Sequence, residues 1–166
     1  MKRLILMTMA TVGLLGLAVG ALAATDTKNL AVSATVSSGA TLTLGSATMT
    51  FPDRNPDSFP SIAATENPVS VTAKAKTGNA STVTLTVLAG GDLTSGSDTI
   101  GISNITWTAS GTGYVDGTMN KTTPQSAGSW TGSGNRSGAF TYSLANSWNY
   151  PTGNYGATIT YTLTAP

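Results

Sequence analysis

Apolar and polar side chains alternate with a period of two through most of this chain, most clearly near its end. Tyr155, Ala157, Ile159, Tyr161 and Leu163 share one parity, and Thr158, Thr160, Thr162 and Thr164 hold the other. A β-strand sends successive side chains to opposite faces. The segment therefore predicts a strand that buries an apolar row, shows water a threonine row and closes the fold.

Similar runs recur at short intervals between turn residues. Leu30, Val32, Ala34 and Val36 alternate with Ala31, Ser33 and Thr35, and Ser37-Ser38-Gly39 breaks the run. Ala40, Leu42 and Leu44 follow, then a short run at Met49 and Phe51. Pro52 through Pro60 holds three prolines, which excludes a strand or helix interior. It is expected to carry the chain from one sheet to the other. Val69, Val71, Ala73 and Ala75 form one row, and Val83, Leu85 and Val87 form the next. Thr77-Gly78-Asn79 between them predicts a hairpin. The rows Ile100–Ile102 and Ile105–Trp107 differ in parity, which predicts a bulge near Ser103-Asn104. Gly111 to Gly128 is polar and weakly patterned. Strand patterning returns at Trp130 and at Phe140, Tyr142 and Leu144, on either side of a glycine-rich turn.

Outside the first residues no segment keeps the i, i+3, i+4, i+7 spacing of an amphipathic helix. The expected fold is all-β, an immunoglobulin-like antiparallel sandwich of about seven to nine strands. A closed barrel is the structural alternative.

The start of the chain carries an address. Lys2 and Arg3 precede the mostly apolar run Leu4–Val19, and Ala21-Leu22-Ala23 forms a small-x-small cleavage site. Residues 1–23 are expected to be a secretory signal peptide, with residues 24–166 as one exported domain. The apolar run is short for a membrane span, and no later segment resembles one. Without Lys2 and Arg3, six basic residues face seven acidic ones, a formal charge of −1. That balance gives no electrostatic case for nucleic acid or an anionic membrane. Charged residues are only 9% of the chain, and Ser and Thr supply the polar surface instead. Cysteine is absent, so sheet and core must hold an exported domain without disulfides.

The same composition restricts chemistry. No histidine means no Ser-His-Asp triad and no histidine metal site. No cysteine excludes a thiol nucleophile and a zinc-thiolate site. Asp53, Asp57, Asp92, Asp98 and Asp116 all sit in turn-like contexts, so a glycosidase carboxylate pair has no favoured members. No catalysis and no cofactor are expected. Asp53, Asn55 and Asp57 imitate the opening of a calcium loop, but Ser58 stands where glycine is expected and Pro56 stiffens the segment.

Aromatic side chains offer a second kind of site, because a ring face can stack on a sugar. Trp107 shares parity with Ile105 and belongs to the core. Trp148 and Tyr150, just before Pro151, together with Trp130, are the candidates for a carbohydrate-stacking surface.

Asn29 through Val36, the short strand Ala40–Leu44 and Met49-Thr50-Phe51 resemble the opening of spore coat protein U-like domains, the subunits of archaic chaperone–usher pili. Thr152-Gly153-Asn154-Tyr155 and the row Ala157–Leu163 are similar to the close of those domains. The chain differs at Gly39-Ala40, where that family usually carries a cysteine, and at Phe51-Pro52, where it has Phe-Gly. WxL-type surface sandwiches have similar closing strands. The resemblance implies a subunit that lacks a strand and borrows one from a neighbour, with Leu30, Val32, Ala34 and Val36 as the exchanged row. The expected protein is an exported structural or surface-assembly subunit in the periplasm, at the cell surface or outside the cell. Its partner would be another protein or another copy, met at a sheet edge. The alternative is a carbohydrate-binding module that meets an extracellular glycan through exposed aromatics.

Overall fold

The computed structural model describes residues 24–166, so the expected signal peptide, residues 1–23, lies outside the described residues. The chain divides into two units, of which the second is Thr35–Pro166. The described part of the first, residues 24–34, forms no strand or helix. The expected strand Leu30–Val36 is therefore not formed. Leu30, Val32 and Val36 are 88%, 85% and 76% exposed. Alternation prepares a segment to pair, but a strand exists only against a partner ladder, and these residues have none among the described residues.

From Thr35 onward the structure is all-β. Its strands are β1 (Gly39–Leu44), β2 (Ser61–Ala63), β3 (Val69–Lys76), β4 (Thr82–Ala89), β5 (Leu93–Ser95), β6 (Asp98–Ile100), β7 (Ile105–Ser110), β8 (Gly117–Thr118), β9 (Gln125–Thr131), β10 (Gly134–Ala145) and β11 (Ile159–Thr164). Eleven strands replace the seven to nine expected, because β2, β5, β6 and β8 are pieces of two or three residues that periodicity cannot register. All pairs are antiparallel. One sheet runs β1-β3-β10-β7-β8, with β2 also paired to β10. A second runs β11-β4-β9, and β5 with β6 forms a small third.

The inner rows of the two larger sheets meet in one core. Val71 and Phe140 from the first sheet, and Leu85 and Val87 from the second, are almost wholly buried. Trp107 is buried as expected and donates its indole N–H to the Val115 carbonyl at 2.8 Å. No described side chain that is charged or polar is buried.

Several connections differ from expectation. β3 and β4 are not a hairpin. β3 pairs with β1 and β10, whereas β4 pairs with β11 and β9 in the other sheet. Their apolar rows face each other across the core, which buries both rows where a flat hairpin would bury neither against the other. The proline-rich loop at 52–60 does not change sheets, since β1 and β2 belong to the same one. The parity change after Ile102 comes from a 3-10 turn, Ile102–Asn104, and not from a bulge. A register shift does occur where β4 pairs β9, at Leu85/Thr86. It leaves Ala127 and Gly128, adjacent in the chain, both buried. The run Met49–Phe51 is not a strand. β11 starts only at Ile159, and Tyr155 precedes it, its hydroxyl bound to the Pro151 carbonyl.

A side chain completes the ladder where β10 passes from β3 to β2. The Asn67 amide donates to the Tyr142 carbonyl at 2.7 Å and accepts from the Tyr142 N–H at 2.8 Å. A planar amide can offer donor and acceptor together, so it stands in for a strand residue.

Candidate functional site

The three-stranded sheet has two edges, and they are finished differently. Beyond β9, the Val115 N–H donates to the Ala127 carbonyl and the Ser129 N–H to the Gly113 carbonyl. Beyond β11 no further strand pairs among the described residues. Alternate residues of an edge strand turn their N–H and C=O groups away from the sheet, where they can accept a further strand. The inward row of β11, Ile159, Tyr161 and Leu163, is only half-buried.

A groove of about 770 Å³, mainly apolar but with Ser46, Thr50, Asp53 and Asn154 also on its walls, lies beside that edge. Leu44, Met49, Phe51, Ile105 and Leu144 contribute to its walls together with Ile159 and Tyr161. One wall is the segment at 46–51, which lacks a ladder and is held by side chains. Ser46 Oγ donates to the Thr48 carbonyl, and the Thr50 N–H and hydroxyl both donate to the Glu66 carboxylate, at 2.8 and 2.9 Å. The Thr50 N–H holds the Glu66 carboxyl below its ordinary pKa.

Two tyrosines join the sheets along the groove. The hydroxyls of Tyr142 on β10 and Tyr161 on β11 lie 2.5 Å apart. The Tyr161 ring also stacks on Phe140, with centroids 5.9 Å apart and planes 18° apart. Burial pushes Tyr142 up to about 12. Burial also raises Tyr161, and the neighbouring Tyr142 raises it further. Both are neutral at ordinary pH, so the groove carries hydroxyls without charge along this stretch.

The row Leu30, Val32, Ala34 and Val36 is exposed throughout and belongs to no sheet. Sequence reasoning found that row and the closing strand. It missed the groove, whose walls come from segments far apart in the chain. Only Met49 and Phe51, apolar residues outside any helix, signalled the 46–51 wall.

The three aromatic candidates do not form one surface. Trp130 is 8% exposed, with its indole N–H on the Thr112 carbonyl and its ring edge-on to Tyr114, so its faces are not open to a ligand. Tyr150 is half-buried and donates its hydroxyl to the Ala145 carbonyl. Trp148 is 67% exposed.

The residues with calcium-loop spacing are engaged locally. Asn55 Oδ1 accepts from the Asp57 N–H, and Asp57 Oδ1 accepts from the Trp148 indole. Asp53 faces the groove. Among the described residues no three acidic side chains gather as metal ligands would. Nor is any helix among them long and apolar enough to cross a membrane. No family model and no curated protein matches the chain.

Proposed function

We propose that this is an exported structural protein, a subunit of a pilus-like or coat-like surface assembly. Subunits join when the Leu30–Val36 segment of one copy adds as a strand to the β11 edge of another. The observation that carries this reading is a pairing-ready row and a β11 edge that both lack a partner strand among the described residues, the edge lying beside a mainly apolar groove. Main-chain hydrogen bonds along β11 would supply affinity, and alternate side chains entering the groove would supply register. Leu30, Val32, Ala34 and Val36 are the row that enters; Ala31, Ser33 and Thr35 face out. The N-terminal address and the absence of histidine and cysteine support export and a non-catalytic role.

The test is assembly of the chain without residues 1–23. Unheated samples should run as an SDS-resistant ladder that collapses to monomer on boiling. Val32→Asp should abolish the ladder, since it forces a carboxylate into an apolar groove. Conversion of Ser33 to Asp, on the outward parity, should leave it. A strict monomer at high concentration, or equal loss in both variants, refutes strand addition.

A further inference from the structure

A second feature, independent of the open edge, is the loop cluster at the far end of β10. Asn146 ties the loop at 54–59 to this end. Its amide donates to the carbonyls of Arg54 and Phe59, at 2.9 and 3.0 Å. Trp148 then donates its indole N–H to Asp57 Oδ1 at 3.0 Å. The Arg54 guanidinium lies over the Phe59 ring, 5.5 Å from its centroid. Trp148 and Phe59 are 67% and 48% exposed.

An exposed tryptophan is ordinarily free to turn about two side-chain torsions. Here a hydrogen bond to a carboxylate, on a loop fixed by two more, sets the ring's orientation while leaving most of its surface open. That is a preorganised aromatic face, and fixing a ring in advance removes part of the cost of binding on it. We propose that Trp148, tethered by Asp57, is a stacking site for the apolar C–H face of a neutral pyranose.

Three points select this ligand. A pyranose offers a flat patch of C–H bonds that buries well on an indole. Its hydroxyls can donate to the Asp57 carboxylate beside the ring while that group stays hydrated, so the charge need not be stripped of water. A dry protein interface centred on Trp148 would have to desolvate that carboxylate. The Asp57 carboxylate beside the ring disfavours an acidic sugar by like-charge repulsion.

Trp107 and Trp130 are buried, so a sugar-dependent change in emission reports Trp148. The chain without residues 1–23 is titrated with methyl β-glucopyranoside, methyl β-galactopyranoside and methyl β-glucuronide. At least one neutral glycoside should give a saturable change with half-saturation on the order of 1–10 mM. The glucuronide should bind roughly threefold or more weakly. Trp148→Ala should abolish the binding heat of the same glycoside in calorimetry while the emission of Trp107 and Trp130 stays blue-shifted, which certifies the fold. Asp57→Asn should narrow the gap between neutral and acidic sugars. No saturable change with any of them up to about 100 mM, or binding heat retained in Trp148→Ala, overturns the proposal. So does a Trp148 already shielded from quencher by assembly alone, which assigns the patch to a contact between copies.

Discussion

The two edges of the β11-β4-β9 sheet meet the same physical problem and end differently. At β9 the chain closes its own edge. The segment at 113–115 bridges to β9, the Tyr114 and Trp130 rings meet at 74° with centroids 4.9 Å apart, and both are buried. At β11 no further strand is hydrogen-bonded among the described residues, and the inward row stays half-exposed beside a groove. An uncovered edge is a standing template for another strand, and proteins generally blunt such edges. Here one edge is sealed tightly, and its sister in the same sheet pairs with no further strand among the described residues. The difference teaches that local chain can cover an edge of this sheet, and it is the β11 edge, uncovered among the described residues, on which the proposed strand addition rests.

The sharpest way to break this contrast is to open the sealed edge. Trp130→Ala removes a buried indole, its bond to Thr112 and its contact with Tyr114. Urea unfolding should show a loss of about 3–5 kcal/mol. Gly113→Ala attacks the same seal from the backbone. Gly113 has φ +86, and a Cβ there would sit 2.1 Å from the Trp130 indole nitrogen and 2.9 Å from the Ser129 carbonyl oxygen. A loss of about 2–3 kcal/mol is expected. A change under about 0.5 kcal/mol in both variants would mean the seal is decorative.

The seal also marks where sequence pattern stops being legible. The closing strand, β3, β4 and β10 were readable because each is long enough for alternation to declare itself, and the buried Trp107 followed from its parity with Ile105. Gly111–Gly128 looked featureless, yet it supplies the seal, because its work is done by glycines that let Trp130 approach and by main-chain bonds that no pattern encodes. Trp130 stands among the candidate stacking aromatics; the chain that covers it comes from Thr112 to Tyr114. The β3–β4 connection looked like a hairpin because turn residues join two alternating runs. Such chemistry reports a reversal of direction and not whether the runs pair or face each other. Leu30–Val36 failed in the opposite sense: its pattern suits a strand, and no ladder among the described residues takes it up. Of the candidate site, one strand and one unpaired row were therefore visible, and the groove between distant segments was not.

Supplying the missing partner sharpens the comparison. In a chain that carries Val32→Asp in its own arm, a synthetic peptide spanning Lys28 to Val36 should bind and stabilise. At a hundred times its dissociation constant the gain is about 2.7 kcal/mol, equivalent to a rise in Tm of about 10 °C for a domain of this size. The same peptide carrying Val32→Asp should give no shift. In a Trp130→Ala background the absolute stability falls but the peptide-induced shift should persist, because the two edges lie on opposite sides of β4. A scrambled peptide that works equally well would dissolve the distinction between edges into general stickiness.

The smallest expected effect concerns the hydroxyl pair that ties β11 to β10. Tyr161→Phe removes the bond to Tyr142 and should cost about 1–2 kcal/mol near neutral pH. It also changes the response to alkali. Both phenols are held above their ordinary value, by burial first, with Tyr142 at about 12. The native state therefore keeps its protons above pH ~10, where the unfolded phenols lose theirs. Stability from this source is fully present below pH ~10 and falls as the pH rises toward the native values. Urea midpoints measured between pH 9 and 11.5 should decline, and Tyr161→Phe should decline less steeply. Tyr114, at the sealed edge, is also raised by burial, so the slope should shrink and not vanish. An identical slope in the variant would show that Tyr161 titrates as if in water, and that the open edge of the sheet is too loosely packed to hold a strand in register.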